Sequence, residues 1–348
     1  MTCRGSKVAV IGSGSWGTAF CGLLASHCEL VSLWCRSDEV AAGINESRHN
    51  PRHLTNYELP TNVLATSSTV EALDGCEAVV LALPSSHLRP ICAGIADSVP
   101  SDVPVLVLTK GLEDLTHLTM LDVAAAELGG RERMAALSGP NHAEEICRGQ
   151  ISAAVIASGN SEVAGRLRDL CVLPTFRVYV TDDVTGVEVC AAAKNVIAIA
   201  CGVAAGLGAG DNTLAVVMTR GIAEISRLAG ALGGNPLTPM GLAGMGDLVA
   251  TCTSRHSRNR SFGEALVAGE TLAEYEERTH MVVEGARAAR SLSTLACDLG
   301  IEAPLTQAVN GVLVDGLDLA SARESLLGRL PKEEFYGIPS ESNRKGNA

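Results

Sequence analysis

"KVAVIGSGSWGTAF" (residues 7–20) decides how the first half of the chain is read. Lys7 to Ile11 is a short apolar run of strand length; glycines follow at 12, 14 and 17, and an apolar, helix-like stretch closes the segment. Strand, glycine turn, helix is the setting in which a G-x-G-x-x-G spacing holds a dinucleotide rather than simply turning the chain. Gly12 permits the tight turn, Gly14 lets the backbone approach a pyrophosphate, and Gly17 lets the helix pack against the strand. The N–H groups of Ser15 and Trp16 then face the phosphates from a helix N-terminus. Arg4 and Lys7 ahead of this apolar stretch give it the outward look of a signal peptide, but the three glycines interrupt the apolar segment such a peptide needs.

The next strand signal is "LVSLWC", ending at Cys35. A site that prefers NAD usually places a carboxylate there for the ribose 2′-hydroxyl. Arg36 stands in that place, a cation suited to the 2′-phosphate of NADP, so both NADH/NAD and NADPH/NADP are expected with a lean to NADPH. A solvated surface arginine is the other reading, and Asp38 nearby keeps it open. "EAVVLALP" and "PVLVLT" continue the pattern as unbroken apolar runs, which suit a parallel sheet buried on both faces. Lys110 follows the second run, at the edge where open α/β sheets bind ligands. "LSGPNHAEEI" reads as strand, Gly-Pro turn and helix start, with Asn141 and Glu144 at capping-box spacing. "SAAVIAS" and "FRVYV" add two strands and complete a domain near residue 185.

Beyond Val184 strand signals give way to long Ala/Leu/Val stretches at helical spacing. The first, "EVCAAAKNVIAIACGVAAGLG", places Lys194 in small and apolar surroundings: its helical neighbours are Val187, Cys190, Ala191, Ile197, Ala198 and Cys201. Burial lowers a lysine pKa from about 10.4 towards neutrality, although a nearby carboxylate opposes the shift. A lysine so tuned exchanges protons; a structural pairing with an acid is the alternative. In "GMGDLVATCTSRHSRNRSFG", Arg255, Arg258 and Arg260 crowd together, and Arg258 between Ser257 and Asn259 suits a phosphate monoester. A solvated basic loop would look the same. Asp247 and Thr251, four apart, share a helix face. In "HMVVEGARAARSL", Val282 and Glu284 are placed to reach a cofactor amide.

Composition bounds the rest. The 348 residues suit roughly two domains. A net charge of −12 disfavours nucleic acid and anionic lipid, and aromatics at 3% offer few stacking platforms. Twelve cysteines, with no CxxC pair, read as reduced buried thiols rather than a disulfide scaffold or a metal site. His49 and His53 are separated by Pro51, which spoils a helical ligand pair, so no metal is expected. The uncharged run 195–210 is too short and glycine-rich to span a bilayer. The expectation is a soluble cytoplasmic protein with no stable membrane insertion, whose apolar helical half leaves room for a homodimer.

Together, "GSGSWGTA", "LALPS", "TKGLE", "SGPNHAEEI", "EVCAAAKNVIAIACG", "GDLVATCTSRHSRN" and "VVEG" resemble the bacterial-type NAD(P)-dependent glycerol-3-phosphate dehydrogenases over about residues 7–330. The resemblance implies an α/β fold: an N-terminal Rossmann-type dinucleotide-binding domain (1–185), an all-α substrate and catalytic domain of the 6-phosphogluconate dehydrogenase C-terminal type (186–335), and a polar tail (336–348). It implies interconversion of dihydroxyacetone phosphate and sn-glycerol 3-phosphate for phospholipid synthesis, with Lys194 as general acid/base. Lys110, Gly139, Asn141, Lys194, Asp247, Ser257, Arg258 and Asn259 would bind substrate. Gly12, Gly14, Ser15, Trp16, Gly17, Arg36, Lys110, Ala143, Arg258, Val282 and Glu284 would hold the cofactor. Rival readings are a ketopantoate or 6-phosphogluconate type of reductase, and a nicotinamide-binding sensor without turnover.

Overall fold

The computed structural model describes residues 6–338, so most of the polar tail lies outside the described residues. The chain divides into two units, one of residues 1–109 with 120–184, the other of residues 110–119 with 185–348. The short segment 110–119 therefore belongs with the helical unit although it follows a strand of the first.

The first unit is one eight-stranded sheet with helices between its strands. In chain order these are β1 (Lys7–Ile11), α1 (Ser15–Leu24), β2 (Leu30–Trp34), α2 (Asp38–Ser47), β3 (Val63–Thr66), α3 (Thr69–Leu73), β4 (Ala78–Leu81), α4 (Ser85–Ile95), β5 (Val105–Val107), α5 (Met120–Leu128), β6 (Met134–Ser138), α6 (Ala143–Cys147), β7 (Ser152–Ala157), α7 (Ser161–Cys171) and β8 (Phe176–Thr181). The spatial order is β3-β2-β1-β4-β5-β6-β7-β8. Strands β1 to β6 are parallel, and Val8 and Val10 of β1 are flanked by Val31 and Leu33 of β2 and by Ala78 and Val80 of β4. All of these are buried, which is why the strands read as continuous apolar runs. The chain reverses direction across the sheet between β1 and β4, and a ligand crevice opens at the carboxyl ends of strands at such a switch point. The fingerprint turn, residues 12–14, lies there.

The sheet departs from the all-parallel expectation at one end. β7 runs antiparallel to β6, and β8 runs parallel to β7. β8 is an edge strand with Phe176 and Val178 inward and Arg177 and Tyr179 outward, so its alternation reports one solvated face. The opposite edge, β3, has only four residues and turns Leu64 to solvent, so no continuous apolar run marks it in the sequence.

The second unit is helical: α8 (Val184–Gly206), α9 (Asp211–Ala231), α10 (Asp247–Thr253), α11 (Arg258–Val267), α12 (Leu272–Thr279), α13 (Glu284–Asp298), α14 (Pro304–Leu313) and α15 (Leu319–Leu327). Among the described residues no strand follows Thr181. Every residue from 186 to 199 on α8 is buried, so this helix is apolar all round because it is surrounded by protein. By length and composition it is long enough to cross a membrane, yet 72% of its most apolar stretch is buried within the molecule, and it carries Glu188 and Lys194. Small residues set how closely its neighbours approach. A Cβ on Gly202 would lie 2.0 Å from the Arg260 carbonyl oxygen, and one on Gly263 would lie 2.3 Å from that of Ile199, so α8 and α11 cross backbone to backbone. The eleven described cysteines are free thiols, buried except for Cys147 and Cys297.

Candidate active site and dinucleotide turn

In the helical unit one carboxylate serves two lysines. Lys194, 6% exposed, sits mid-way along α8 and donates to Asp247 Oδ1 at 2.6 Å and to Thr251 Oγ1 at 2.8 Å. Lys110 donates to the other oxygen, Asp247 Oδ2, at 2.7 Å. Asp247 opens α10 directly after a π-helical turn at Leu242–Gly246, a backbone irregularity that recurs at functional sites. One helical turn on, Thr251 donates to the Asp247 carbonyl oxygen at 2.6 Å, which aims its lone pairs at Lys194. The segment carrying Lys110 is tied to α13 by an ion pair between Asp114 and Arg287.

Two cations on one anion leave the cluster with an excess positive charge in a dry setting. Burial is the largest influence on Lys194 and pulls its pKa down from 10.5 to about 8; Lys110 pulls the same way, and Asp247 opposes both. Burial alone would raise the Asp247 pKa, but Lys110 and Lys194 outweigh it and hold the carboxyl below the usual carboxylate range. Asp247 is therefore held ionised, and Lys194 holds its proton less tightly than an exposed lysine does.

Around this cluster, Asn195 Oδ1 accepts from Asn259 Nδ2 at 3.0 Å, and Asn259 Oδ1 accepts from the Gly285 N–H at 2.9 Å. Asn259 thus ties α8, α11 and α13 together, with one amide N–H of its Nδ2 outside these bonds. Ser257 caps α11, its Oγ accepting from the Arg260 N–H at 3.3 Å. Arg258 is the first residue of α11 and exposed, while Arg260 turns away to Glu264 and the Thr253 carbonyl. Arg260 is thus engaged within the helical unit, while Arg258 is presented at a helix start. Val282 is half-buried just before α13, and Glu284 opens that helix.

The remaining expected residues lie in the sheet unit. Gly12 has φ +118°, and a Cβ there would lie 2.4 Å from the Ala82 carbonyl oxygen; on Gly17 it would lie 1.9 Å from that of Gly12. On Gly14 it would meet nothing within 4 Å. Two of the fingerprint glycines are thus required by packing, and the third opens onto free space. No side chain caps α1, which starts at Ser15, and the buried Trp16 Nε1–H has no hydrogen-bond partner. Open space, uncapped N–H groups and an orphaned donor at a switch point fit a dinucleotide pyrophosphate. Arg36 is exposed just beyond β2, and Ala143 opens α6. Gly139 has φ +152°, with the Ala153 carbonyl oxygen 2.6 Å from where a Cβ would stand.

Asn141 and Glu144 do not form the expected capping box. α6 begins at Ala143 with His142 at the N-cap and no side-chain cap, so Asn141 stands one residue too early. Its Nδ2 donates to the Ala153 carbonyl at 3.1 Å, while its buried Oδ1 has no hydrogen-bond partner. Thr251 acquires a place at the lysine that the sequence left without a role, and its spacing from Asp247 was the available signal. Asn195, adjacent to Lys194 in the chain, bonds Asn259 instead.

The family model described as "NAD-dependent glycerol-3-phosphate dehydrogenase N-terminus" matches residues 7–164, and the corresponding C-terminus model matches residues 183–324. The glycerol-3-phosphate dehydrogenase [NAD(P)+] of Corynebacterium glutamicum (strain R) is 45% identical over 330 residues, covering 94% of this chain and 99% of that protein. Its counterpart in Nocardia farcinica is 45% identical over 336 residues, covering 94% and 100%. Among solved structures, a glycerol-3-phosphate dehydrogenase from Coxiella burnetii superposes with a TM-score of 0.87 at 35% identity, covering 93% of this chain and 99% of that one. A nucleotide turn on a doubly wound sheet and a lysine–aspartate cluster on helices are thus accompanied by likeness over almost the whole length: the chain belongs to the NAD-dependent glycerol-3-phosphate dehydrogenase family.

Proposed function

We propose that Lys194 is the general acid/base of an NAD(P)-dependent glycerol-3-phosphate dehydrogenase that interconverts dihydroxyacetone phosphate and sn-glycerol 3-phosphate. The chain is an oxidoreductase of that family, with a Rossmann-type unit for the dinucleotide. The observation that carries the role of Lys194 is its Nζ, buried among apolar helices with a pKa near 8 and aimed by Asp247 and Thr251.

The bound nicotinamide supplies the hydride chemistry. The chain supplies the proton. In the reducing direction the ketone oxygen gains negative charge, and Lys194 gives its proton to that oxygen. Asp247 remains ionised beside the lysine throughout, so the amine keeps its orientation after the proton has left. The proton is then regained from water. In the oxidising direction the neutral amine takes the hydroxyl proton instead.

We assign Lys110, Gly139, Asn141, Asp247, Ser257, Arg258 and Asn259 to substrate binding. The orphaned Asn141 Oδ1 is an acceptor a substrate hydroxyl would satisfy, and Arg258 at the start of α11 offers a forked donor to the phosphate. Binding energy spent on the phosphate fixes the reacting carbon without touching it. Gly12, Gly14, Ser15, Trp16, Gly17, Arg36, Ala143, Val282 and Glu284 are assigned to the dinucleotide, with Lys110 and Arg258 shared. The free thiols support a reducing, cytoplasmic setting, and the product suits glycerophospholipid synthesis. Val216 and Leu207, 59% and 50% exposed on the helical unit, support a homodimer.

The test is oxidation of NADH and of NADPH, followed by absorbance, with and without dihydroxyacetone phosphate. Ketone-dependent oxidation is expected with both dinucleotides. Dinucleotide binding without turnover would leave only the sheet unit's reading standing.

A further inference from the structure

Directly against the fingerprint turn stands a side chain with every hydrogen-bonding capacity in use. Asn50, completely buried, follows the left-handed Arg48 that ends α2. Its Nδ2 donates to the Ser13 carbonyl oxygen at 2.8 Å and to Thr18 Oγ1 at 2.9 Å. Thr18 Oγ1 in turn donates to the same Ser13 oxygen at 3.3 Å. On its other side, Asn50 Oδ1 accepts from the N–H groups of Arg52 at 2.9 Å and His53 at 3.1 Å. An amide that makes two donor and two acceptor bonds has one orientation left to it. Asn50 therefore ties a remote loop to the central peptide of the glycine turn.

The consequence follows from peptide geometry. Across a trans peptide the carbonyl of one residue and the N–H of the next point in opposite directions. With the Ser13 oxygen held on Asn50 and Thr18, the Gly14 N–H faces away from both. Gly14 is the residue on which a Cβ would meet nothing within 4 Å, and α1 begins one residue later with no side-chain cap. We propose that Asn50 is a positioning residue for the dinucleotide: acting through the Ser13 carbonyl, it holds the Gly14 N–H turned towards the pyrophosphate before the ligand arrives. Without it the glycines would still allow the turn but would also allow that peptide to rotate, and binding would bear the cost of ordering it.

The proposal rests on the dinucleotide reading of the turn, and the experiment separates the two. Calorimetric titration of NADH and NADPH is done with the wild type, Asn50→Ser, Thr18→Val and Thr18→Ser, alongside steady-state kinetics and melting temperatures. Asn50→Ser keeps a short acceptor for the N–H groups of the 52–53 turn but no donor long enough for Ser13. Both dinucleotides are expected to bind about tenfold more weakly, with the same rise in KM, while kcat at saturating dinucleotide and the KM for dihydroxyacetone phosphate hold. Thr18→Val shows the same split to a smaller degree, and Thr18→Ser restores wild-type binding. A folded Asn50→Ser protein with unchanged dinucleotide affinity and only a lower melting temperature makes Asn50 a loop anchor and overturns the proposal. So does an equal loss in kcat and in both KM values. Should Asn50→Ser not fold, unchanged affinity in Thr18→Val overturns it in the same way. A wild type that binds neither dinucleotide defeats the underlying reading itself, a result distinguishable from any variant's.

Discussion

Lys194 and Asp247 meet at 2.6 Å, Nζ to Oδ1, both buried within the helical unit. The pair is not closed on itself, because Lys110 takes the second carboxylate oxygen and Thr251 takes a second lysine proton. Removing the lysine leaves Asp247 paired with Lys110, so the variant retains a neutralised carboxylate. Lys194→Ala is therefore expected to fold and to bind NADH and NADPH with unchanged affinity. Its kcat should fall by about a hundred- to ten-thousandfold, the usual contribution of a placed proton donor. Near-normal turnover in stopped-flow reduction of dihydroxyacetone phosphate would remove Lys194 from its role.

Asp247 has no such cushion. Asp247→Ala takes the shared counter-charge from Lys194 and Lys110, so the buried Lys194 must either stay charged without a partner or give up its proton. Breaking a buried pair by removing one partner costs about 3–5 kcal/mol. Both a lower denaturation midpoint and loss of turnover are expected. Asp247→Asn, which retains an acceptor oxygen but not the charge, should recover part of the stability and little of the rate. Equal stability in all three proteins, measured by urea unfolding, would mean that the lysines had relaxed to solvent and that the carboxylate does not hold them.

The pH dependence follows from the direction of each shift. Lys194 titrates at about 8 when folded and at 10.5 ordinarily, the difference coming mainly from burial and then from Lys110. Reduction needs the protonated amine, so its kcat should fall as pH rises through about 8. Oxidation needs the neutral amine and should rise to a plateau over the same range. Stability has the matching sign: between pH 8 and 10.5 the unfolded chain still holds a proton that the folded chain has released, so this residue makes stability rise with pH there. Lys110→Met removes a repelling charge and should move the kinetic break to higher pH, whatever it does to the rate. A break that stays in place in Lys110→Met means that another group is being titrated.

How much of this was legible beforehand depended on whether the signal was local. The glycine turn and the strands β1, β2 and β4 could be read directly, because burial on both faces writes itself as a run of Val, Ile and Leu. The lysine was legible for the same reason in reverse, a charge set among small apolar neighbours. β3 was missed because an exposed edge strand of four residues has no such run, and β7 hid its direction because pairing sense is decided by the connection rather than by composition. Asn50 left no trace at all: it acts on Ser13, 37 positions away, through hydrogen bonds that only the folded chain brings together. The supposed capping box at Asn141 failed by one residue, a shift that spacing alone does not resolve.

Arg258 offers a test of the phosphate assignment that is independent of the lysine. It starts α11 and is exposed, and Ser257 already caps the helix through the Arg260 N–H, so removal of the arginine side chain leaves the helix start intact. Arg258→Ala should raise the KM for dihydroxyacetone phosphate by about ten- to a hundredfold, the worth of a charge-assisted hydrogen bond. Arg258→Lys should recover only part of this, because an ammonium cannot reproduce the two parallel bonds of a guanidinium. An unchanged KM for the phosphate substrate in Arg258→Ala would place the phosphate elsewhere.

Gly263 carries the last prediction, and it concerns the scaffold under the lysine. α8 presents Gly202 and α11 presents Gly263 at their crossing, and a methyl on Gly263 would stand 2.3 Å from the Ile199 carbonyl oxygen and 2.8 Å from the Val203 nitrogen. Both are backbone atoms of the lysine helix, so no side-chain rotation relieves the overlap. Gly263→Ala must push α11 away from α8, and overpacking of this kind costs typically about 1–3 kcal/mol. The displaced helix also carries Asn259, whose amide bonds Asn195 beside Lys194. A lower melting temperature should therefore come with a lower kcat. By contrast, Gly269→Ala on the same chain, where a Cβ would meet nothing but φ is +92°, should destabilise by backbone strain while leaving kcat alone. If both alanines lower stability and neither touches kcat, the α8–α11 crossing stabilises the unit without setting the geometry of the lysine.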